Sequence, residues 1–259
     1  MYEMRQEKMS RFIRQHEMVT IKQLQELFPQ VSLMTIHRDL DALAAAGLVT
    51  KVRGGARASR HDREPAFNAR EKENQGGKTL VAVKAATLIQ HKSCVFLDSG
   101  TTSLMLAGVL PDLPLSVVTT GPNIALALAR NPVPEVTLCP GNLNKENLTV
   151  SGHSTLQFLE GINIDIAFIG ASGYDNTAGF TCGKESEMLV KRQVIRQART
   201  TAVLCDQTKF QRFMPYTFAR LGDIKYVISD ITPPDDFLAG AQKSGTSVLY
   251  YPADQRPRL

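Results

Sequence analysis

The sequence predicts an α/β protein in two parts: a small helical head closed by a β-hairpin, then a larger, mostly parallel α/β domain. Three observations predict it. Apolar residues recur at helical spacing up to Leu43. An alternating run, Leu48 to Arg53, then meets Gly54-Gly55. From Thr79 onward, short apolar runs alternate with helical stretches, and most of the runs end in Gly, Ser, Thr or Asp.

The head is read first. Met9, Phe12 and Ile13 define an amphipathic helix from Glu3 to His16. Thr20-Ile21-Lys22-Gln23 resembles a capping box. Ile21, Leu24 and Phe28 carry a second helix, and Pro29-Gln30-Val31 interrupts it. Ser32 suits the N-cap of a third helix, because its hydroxyl can accept a first-turn amide. Ile36, Leu40 and Leu43 then share one buried face. Met34, Arg38 and Asp41 point the other way, with Thr35 and His37 to either side. Gly47 is placed as the C-terminal stop. Leu48 to Arg53 reads as a strand, and Gly54-Gly55 can supply the positive φ of a turn.

Helix, tight turn, helix and hairpin make a winged helix-turn-helix. Its third helix presents a cation and a hydroxyl near its N-terminal end, where base edges and phosphates are reached. A small helical bundle that binds protein is the alternative the helices alone leave open. Charge favours nucleic acid. Met1 to Lys72 carries 13 Lys and Arg against 9 Asp and Glu, while the whole chain carries 30 against 25. Nearly all the positive surplus therefore sits in the first 72 residues. Lys51, Arg53, Arg57, Arg60 and Arg63 lie close together; alone such a run is more often a solvated linker, but beside a recognition helix it is the footprint of phosphate contacts.

Ala58 to Pro65 has little apolar content and no helical face. The expected division is a head over 1–57, a linker over 58–75 and a second domain over 76–259. In that domain Cys94–Leu97 ends in Asp98-Ser99-Gly100-Thr101-Thr102, Leu115–Val118 ends in Thr119-Thr120-Gly121, and Val136–Leu138 ends at Pro140-Gly141. Ile164–Ile169 ends in Gly170-Ala171-Ser172-Gly173, and Thr201–Leu204 ends in Asp206-Gln207-Thr208-Lys209. Helices are expected over Ser103–Leu110, Asn123–Arg130 and Lys184–Ala198. Lys225–Ser229 and Ser247–Tyr251 read as later strands. Alternation of this kind predicts a parallel sheet covered on both faces, with ligands beyond the carboxyl ends of its strands. Ser99 to Thr102 combines a glycine, two threonine hydroxyls and free helix-opening amides, which suits a phosphate. Lys209 adds a point charge. Asp98 and Asp175 can accept sugar hydroxyls. Each such turn alone is ordinary turn and N-cap chemistry; several at one sheet end favour a site.

The chain of 259 residues is 43% hydrophobic, and it has no apolar run of membrane-spanning length. It lacks the apolar core of a signal peptide. Its four cysteines (Cys94, Cys139, Cys182, Cys205) form no CxxC pair and its five histidines no ligand spacing with them. Reduced thiols in a cytoplasmic protein are expected, with no metal and no cofactor.

The residues resemble the DeoR-type bacterial transcriptional repressors over essentially the whole chain. In the head the family signature stands as Val31-Ser32, Thr35-Ile36-His37-Arg38-Asp39-Leu40, Gly47-Leu48 and Gly54-Gly55-Ala56. His37 replaces the usual arginine. In the body it stands as Asp98 to Thr102, Ser151-Gly152, Gly170 to Asp175 and Asp206 to Phe210. Two departures, Thr119-Thr120-Gly121 and Pro140-Gly141, lie where the sugar end of an effector is read.

The resemblance implies a sugar-phosphate sensor domain similar to ribose-5-phosphate isomerase. The expected effector set is Asp98, Ser99, Gly100, Thr101, Thr102, Thr119, Thr120, Gly141, Ser151, Gly170, Gly173, Asp175, Glu185 and Lys209. On the head, Thr35, His37 and Arg38 are expected at bases or phosphates, and Ser32, Lys51, Arg53 and Arg57 on the backbone. The expected protein is a bacterial cytoplasmic regulator, associated with the nucleoid through DNA, binding double-stranded operator DNA as a homo-oligomer (dimer or tetramer) under control of a phosphorylated sugar. Carbohydrate catabolism is the expected theme.

A sugar-phosphate isomerase with a DNA-binding appendage is the alternative. Such an enzyme needs a carboxylate base. In the related isomerases a glutamate precedes a lysine inside the helix before the Asp-x-x-Lys strand end. Here that stretch is Met188-Leu189-Val190-Lys191-Arg192, and Val190 cannot accept a proton. Glu185 and Glu187 lie about a turn earlier, where capping or effector binding explains them. No catalytic residue is expected.

Overall fold

The computed structural model describes residues 2–16, 18–45, 48–58 and 64–252. Gly47, Arg60 and Arg63 lie outside the described residues. The chain forms two compact units, Met1–Pro65 and Ala66–Leu259.

The head contains α1 (Tyr2–Gln15), β1 (Met18–Thr20), α2 (Ile21–Leu27), α3 (Leu33–Ala45), β2 (Val49–Val52) and β3 (Gly55–Ala58). The capping box forms as expected. Thr20 Oγ1 accepts from the Gln23 amide at 3.2 Å and Gln23 Oε1 accepts from the Thr20 amide at 2.8 Å. The core consists of Met9, Ile13, Val19, Leu24, Ile36, Leu40, Leu43, Val49 and Ala56. Each large apolar member contributes roughly 1.5–3 kcal/mol by leaving water, so the apolar stripe of α3 decides which of its faces is left outward.

The sheet order β1-β3-β2 contains a strand the pattern did not predict. β1 is three residues long and buries only Val19, too short for alternation to register. It also changes the reading of the glycines. Gly54, with φ +81°, supplies the left-handed turn residue between β2 and β3. Gly55 lies in β3 opposite Thr20, where a Cβ would stand 2.1 Å from the Val19 carbonyl oxygen. It is glycine because β1 passes over it, not because the chain turns there.

The body opens with α4 (Phe67–Lys72) and α5 (Gln75–Ala86). Phe67–Lys72, assigned to the linker from sequence, is helical here because Phe67 is buried and its amide donates to the Glu146 carbonyl at 2.8 Å. Then come β4 (Cys94–Leu97), α6 (Thr101–Gly108), β5 (Ser116–Thr119), α7 (Pro122–Leu128), β6 (Glu135–Leu138), β7 (Asn142–Asn144), β8 (Thr149–Ser151) and α8 (His153–Glu160). The chain continues through β9 (Ile166–Gly170), β10 (Gly173–Asp175), β11 (Gly179–Cys182), α9 (Glu185–Gln197), β12 (Thr200–Leu204), a 3-10 turn (Gln207–Lys209), β13 (Tyr216–Ala219), β14 (Tyr226–Ile228), α10 (Asp235–Ser244) and β15 (Ser247–Leu249).

Seven strands form one sheet in the order β15-β14-β12-β9-β4-β5-β6, and every adjacent pair is parallel. Strand periodicity explains its two cores. Val95, Leu97, Ile166, Phe168, Ala202 and Leu204 face α5, α6 and α7, whose Val81, Ala85, Leu106 and Ile124 close that side. Phe96, Ala167, Ile169 and Val203 face the other way, against Leu159 of α8, Val190 and Val194 of α9, and Phe237 of α10. Two small antiparallel sheets, β7-β8 and β10-β11-β13, were not predicted. Their three- and four-residue strands are interrupted by turn residues, so no period can show.

From β4 the chain moves outward through β5 and β6, then returns to β9 on the other side of β4. The reversal falls between β4 and β9, and the carboxyl ends of strands at such a reversal are the usual place for a ligand.

Candidate functional site

In the head, α3 positions the candidate nucleic-acid contacts. The Ser32 hydroxyl accepts from the Thr35 amide at 3.3 Å, and the two hydroxyls lie 2.9 Å apart. They form a polar pair at the start of the helix. His37 and Arg38 are exposed, and Thr35 is half-buried. Asp39 has a different task. It is fully buried, where Arg5 Nε donates to it at 2.6 Å and Gln6 Nε2 at 3.1 Å. It fastens α3 to α1 and so fixes the direction in which its neighbours point.

On the wing, Lys51 Nζ lies 2.5 Å from Asp41 Oδ1, with both groups well exposed. Exposed pairs contribute only about 0.2–1 kcal/mol, so this contact yields readily to a phosphate. Arg53 occupies the turn beside Gly54, and Arg57 is exposed opposite Thr50. Because side chains alternate along a strand, Arg57 and Lys51 stand on opposite sides of the hairpin.

In the body, β4 and β9 bring Asp98 and Gly170 together. Asp98 Oδ2 accepts from the Gly170 amide at 2.9 Å. Lys191 reaches in from α9, donating to Asp98 Oδ2 and, at 2.8 Å, to the Gly170 carbonyl. Burial alone would lower the Lys191 ammonium. Asp98, with Cys182 and Glu187 behind it, more than offsets this and holds its pKa above the ordinary value. Glu187, one turn before Lys191, is buried and accepts from Asn147 Nδ2 at 2.8 Å.

Around this pair stand Ser99, Thr101 and Thr102, all buried. Helix α6 starts at Gly100 with no side-chain cap, so its first amides remain donors for an anion. Three buried groups at this end of the sheet lack protein partners: the hydroxyls of Ser103 and Thr120 and the side-chain amide of Asn123. Buried polar atoms are nearly always satisfied, and a polar ligand there would satisfy these.

Other expected effector residues have internal tasks. The Thr119 hydroxyl donates to the Leu97 carbonyl at 2.7 Å and accepts from the Gly121 amide at 3.0 Å. Asp175 Oδ1 accepts from the Thr177 and Ala178 amides at 2.8 and 3.0 Å, closing the β10–β11 turn. Asp175 also lines a solvent-open cleft with Tyr174, Phe210 and Phe237. Gly173 is packed against the Arg212 carbonyl, 2.4 Å from where a Cβ would sit. Gly141, with φ +145°, packs against Thr155 and β8, whose last residue is Ser151. Glu185 is exposed on the first turn of α9, while Glu187 turns inward.

Lys209 is buried at the carboxyl end of β12, 3.7 Å from Glu73 and 4.0 Å from Asp206. Two residues that the sequence did not single out complete this cluster. Asn74, in the left-handed region at φ 45°, donates to Asp206 at 3.2 Å and to Asp230 at 3.3 Å. Lys78 is fully buried and donates to the carbonyls of Arg70 and Glu73, capping the end of α4. Burial, with Lys209 nearby, lowers its pKa from 10.5 to about 8, against the opposing pull of Asp206 and Glu73. Burial pushes the Asp206 carboxyl up, but Lys209, the Thr208 hydrogen bonds and Asn74 outweigh it and leave its pKa low.

Lys191 had a signal in the sequence. It interrupts the buried stripe of Val190 and Val194 on α9, where a cation is costly without a partner. Asn74 and Lys78 had none, because their partners lie far along the chain.

A helix-turn-helix joined in one chain to an α/β body with a polar cluster at its strand ends is the make-up of a two-domain transcriptional regulator. Residues 5–61 match the DeoR-like helix-turn-helix domain, and residues 73–231 match the DeoR C-terminal sensor domain. The chain belongs to the DeoR family. It is 31% identical over 245 residues to the HTH-type transcriptional repressor GlcR of Bacillus subtilis, covering 94% of each chain. It is 32% identical over 220 residues to the HTH-type transcriptional regulator FruR of the same organism, covering 84% of this chain and 87% of that one. Among solved structures, ribose 5-phosphate isomerase A of Methanocaldococcus jannaschii shows a partial likeness. It is 19% identical, covers 53% of this chain and 55% of that one, and has a TM-score of 0.40. Among the described residues, no helix is long and apolar enough to cross a membrane, and no group of three His, Cys, Asp or Glu could hold a metal ion.

Proposed function

We propose that the chain is a cytoplasmic repressor of a carbohydrate catabolism operon, and that a phosphorylated sugar governs its hold on operator DNA. Residues 1–57 bind the duplex, and the body from Ala66 onward senses the effector. The observation that carries the reading is the division of α3. Ile36, Leu40 and Leu43 are buried, while Met34, His37 and Arg38 face outward from a helix anchored by Asp39. Arg38, His37 and the Ser32–Thr35 pair address bases and phosphates; Lys51, Arg53 and Arg57 grip the backbone. The protein acts as a homo-oligomer, because one helix reads too few base pairs for useful specificity.

In the body, the α6 amides with Ser99, Thr101 and Thr102 take the phosphate. Asp98, Thr120 and Gly170 face the sugar, with Lys209 at the adjoining strand end. The effector shifts the protein only by favouring one arrangement of the assembly over another. The isomerase reading needs a carboxylate base. Val190 is apolar and Glu187 is already hydrogen-bonded by Asn147, which supports a sensor rather than an enzyme.

The test is Arg38→Ala in a footprinting assay on the chain's own promoter region. Loss of the footprint with an unchanged melting curve is expected, and binding by the native chain falls steeply with salt. An unchanged footprint refutes the assignment of α3. Turnover of any pentose or hexose phosphate by the purified chain refutes the non-enzymatic reading.

A further inference from the structure

Two adjacent apolar side chains stand exposed at the start of α3. Met34 is 80% exposed and Leu33 is 47% exposed. A single exposed apolar residue needs no explanation. Their position does, because it is the end of the helix that enters a groove. Met34 precedes Arg38 by one turn, so the two side chains share the outward face. Beside them lies the Ser32–Thr35 hydroxyl pair, 2.9 Å apart. The helix therefore presents an apolar tip between a guanidinium and a polar phosphate contact.

Base edges in the major groove are almost wholly polar. The exception is the C5-methyl of thymine, which is read by apolar contact. The methionine side chain is long, unbranched and polarizable, and adapts its shape to what it touches. We infer that Met34 is a specificity-determining residue that recognises a thymine methyl in each operator half-site, next to the base pair addressed by Arg38. This rests on the DNA-binding reading above. Leu33, on the neighbouring side of the first turn, shields the contact from water.

The test uses the full chain and duplexes recovered by selection from a random pool. Each thymine of the selected site is replaced singly by deoxyuridine, which removes only the methyl. The native protein is expected to lose about fourfold in affinity at one thymine per half-site, the factor equivalent to one buried methyl group. Met34→Gln keeps the length and helical preference of the side chain. It is expected to bind the thymine duplex about fourfold more weakly and to be indifferent to deoxyuridine at that position. A native protein insensitive to every substitution overturns the inference, as does a variant that keeps the methyl dependence. Failure to recover any duplex overturns the DNA-binding reading itself, which separates the two.

Discussion

Lys191→Met removes the buried cation that touches Asp98. Both side chains are under 10% exposed, at 7% and 6%. The substitution preserves volume, so the cavity term is small and the cost is electrostatic. Asp98 keeps the Gly170 amide but faces the interior with an uncompensated charge. Stranding one member of a buried pair costs about 3–5 kcal/mol. For a body of this size each kcal/mol lowers Tm by roughly 2–4 °C, so a drop of about 6–20 °C is expected. Calorimetry of the body's transition reads it. Asp98→Asn added to Lys191→Met removes the stranded charge and keeps an acceptor for the Gly170 amide, so at least half of the loss should return. The pH dependence has a definite sign. The Lys191 pKa is raised in the fold, so its contribution is complete below the unfolded value and fades only as pH rises through the higher folded one. The native protein should therefore show no loss from this group between about pH 7 and about pH 9. A drop under about 1 kcal/mol, or a double variant worse than the single, refutes the description of the pair as buried and interdependent.

The geometry sets three more outcomes. Gly55→Ala forces a Cβ to within 2.1 Å of the Val19 carbonyl oxygen. It should destabilise the head by about 1–3 kcal/mol, read as a lowered first melting transition; a neutral result refutes the close approach of β1. Asp39→Ala removes the buried carboxylate that joins α3 to Arg5 and Gln6 of α1 and should cost the head about 2–4 kcal/mol, with operator affinity falling even at temperatures where the head stays folded. Retained affinity refutes its orienting role. Lys78 has a pKa lowered to about 8, so between about 8 and 10.5 the unfolded chain binds the extra proton and stability from this group rises with pH. The native body should gain stability over that interval relative to Lys78→Met, by denaturant titration; parallel curves refute the shift.

The helices of the head were legible because their signals are local. The Thr20 box, the Ser32 cap and the Ile36–Leu40–Leu43 stripe each span a few positions. The parallel sheet was legible for the same reason, since each strand carries its own period and its own polar end. What escaped depends on distant chain. Asp39 looked like part of a recognition signature, yet its partners are Arg5 and Gln6 on another helix. Glu185 and Glu187 are indistinguishable by composition, and only the rotation of α9 turns one outward and the other toward Lys191. Thr119 and Asp175 have the right chemistry for a sugar, but the fold uses much of it to close their own turns. A sequence shows which residues can hydrogen-bond, not which are already engaged.

The middle position of β3 has a mechanical consequence. A free hairpin would be a hinged flap, able to close on a duplex or lift away by itself. Here β3 is stitched to β2 on one flank and to β1 on the other, and β1 runs straight into α2 through the Thr20 box. Among the described residues, the hairpin and α3 also share one core, of Ile36, Leu40, Val49 and Ala56, and so belong to a single packed unit. On the function proposed above, any signal from the body has to move that unit whole, so release of the duplex by each head should be all-or-none.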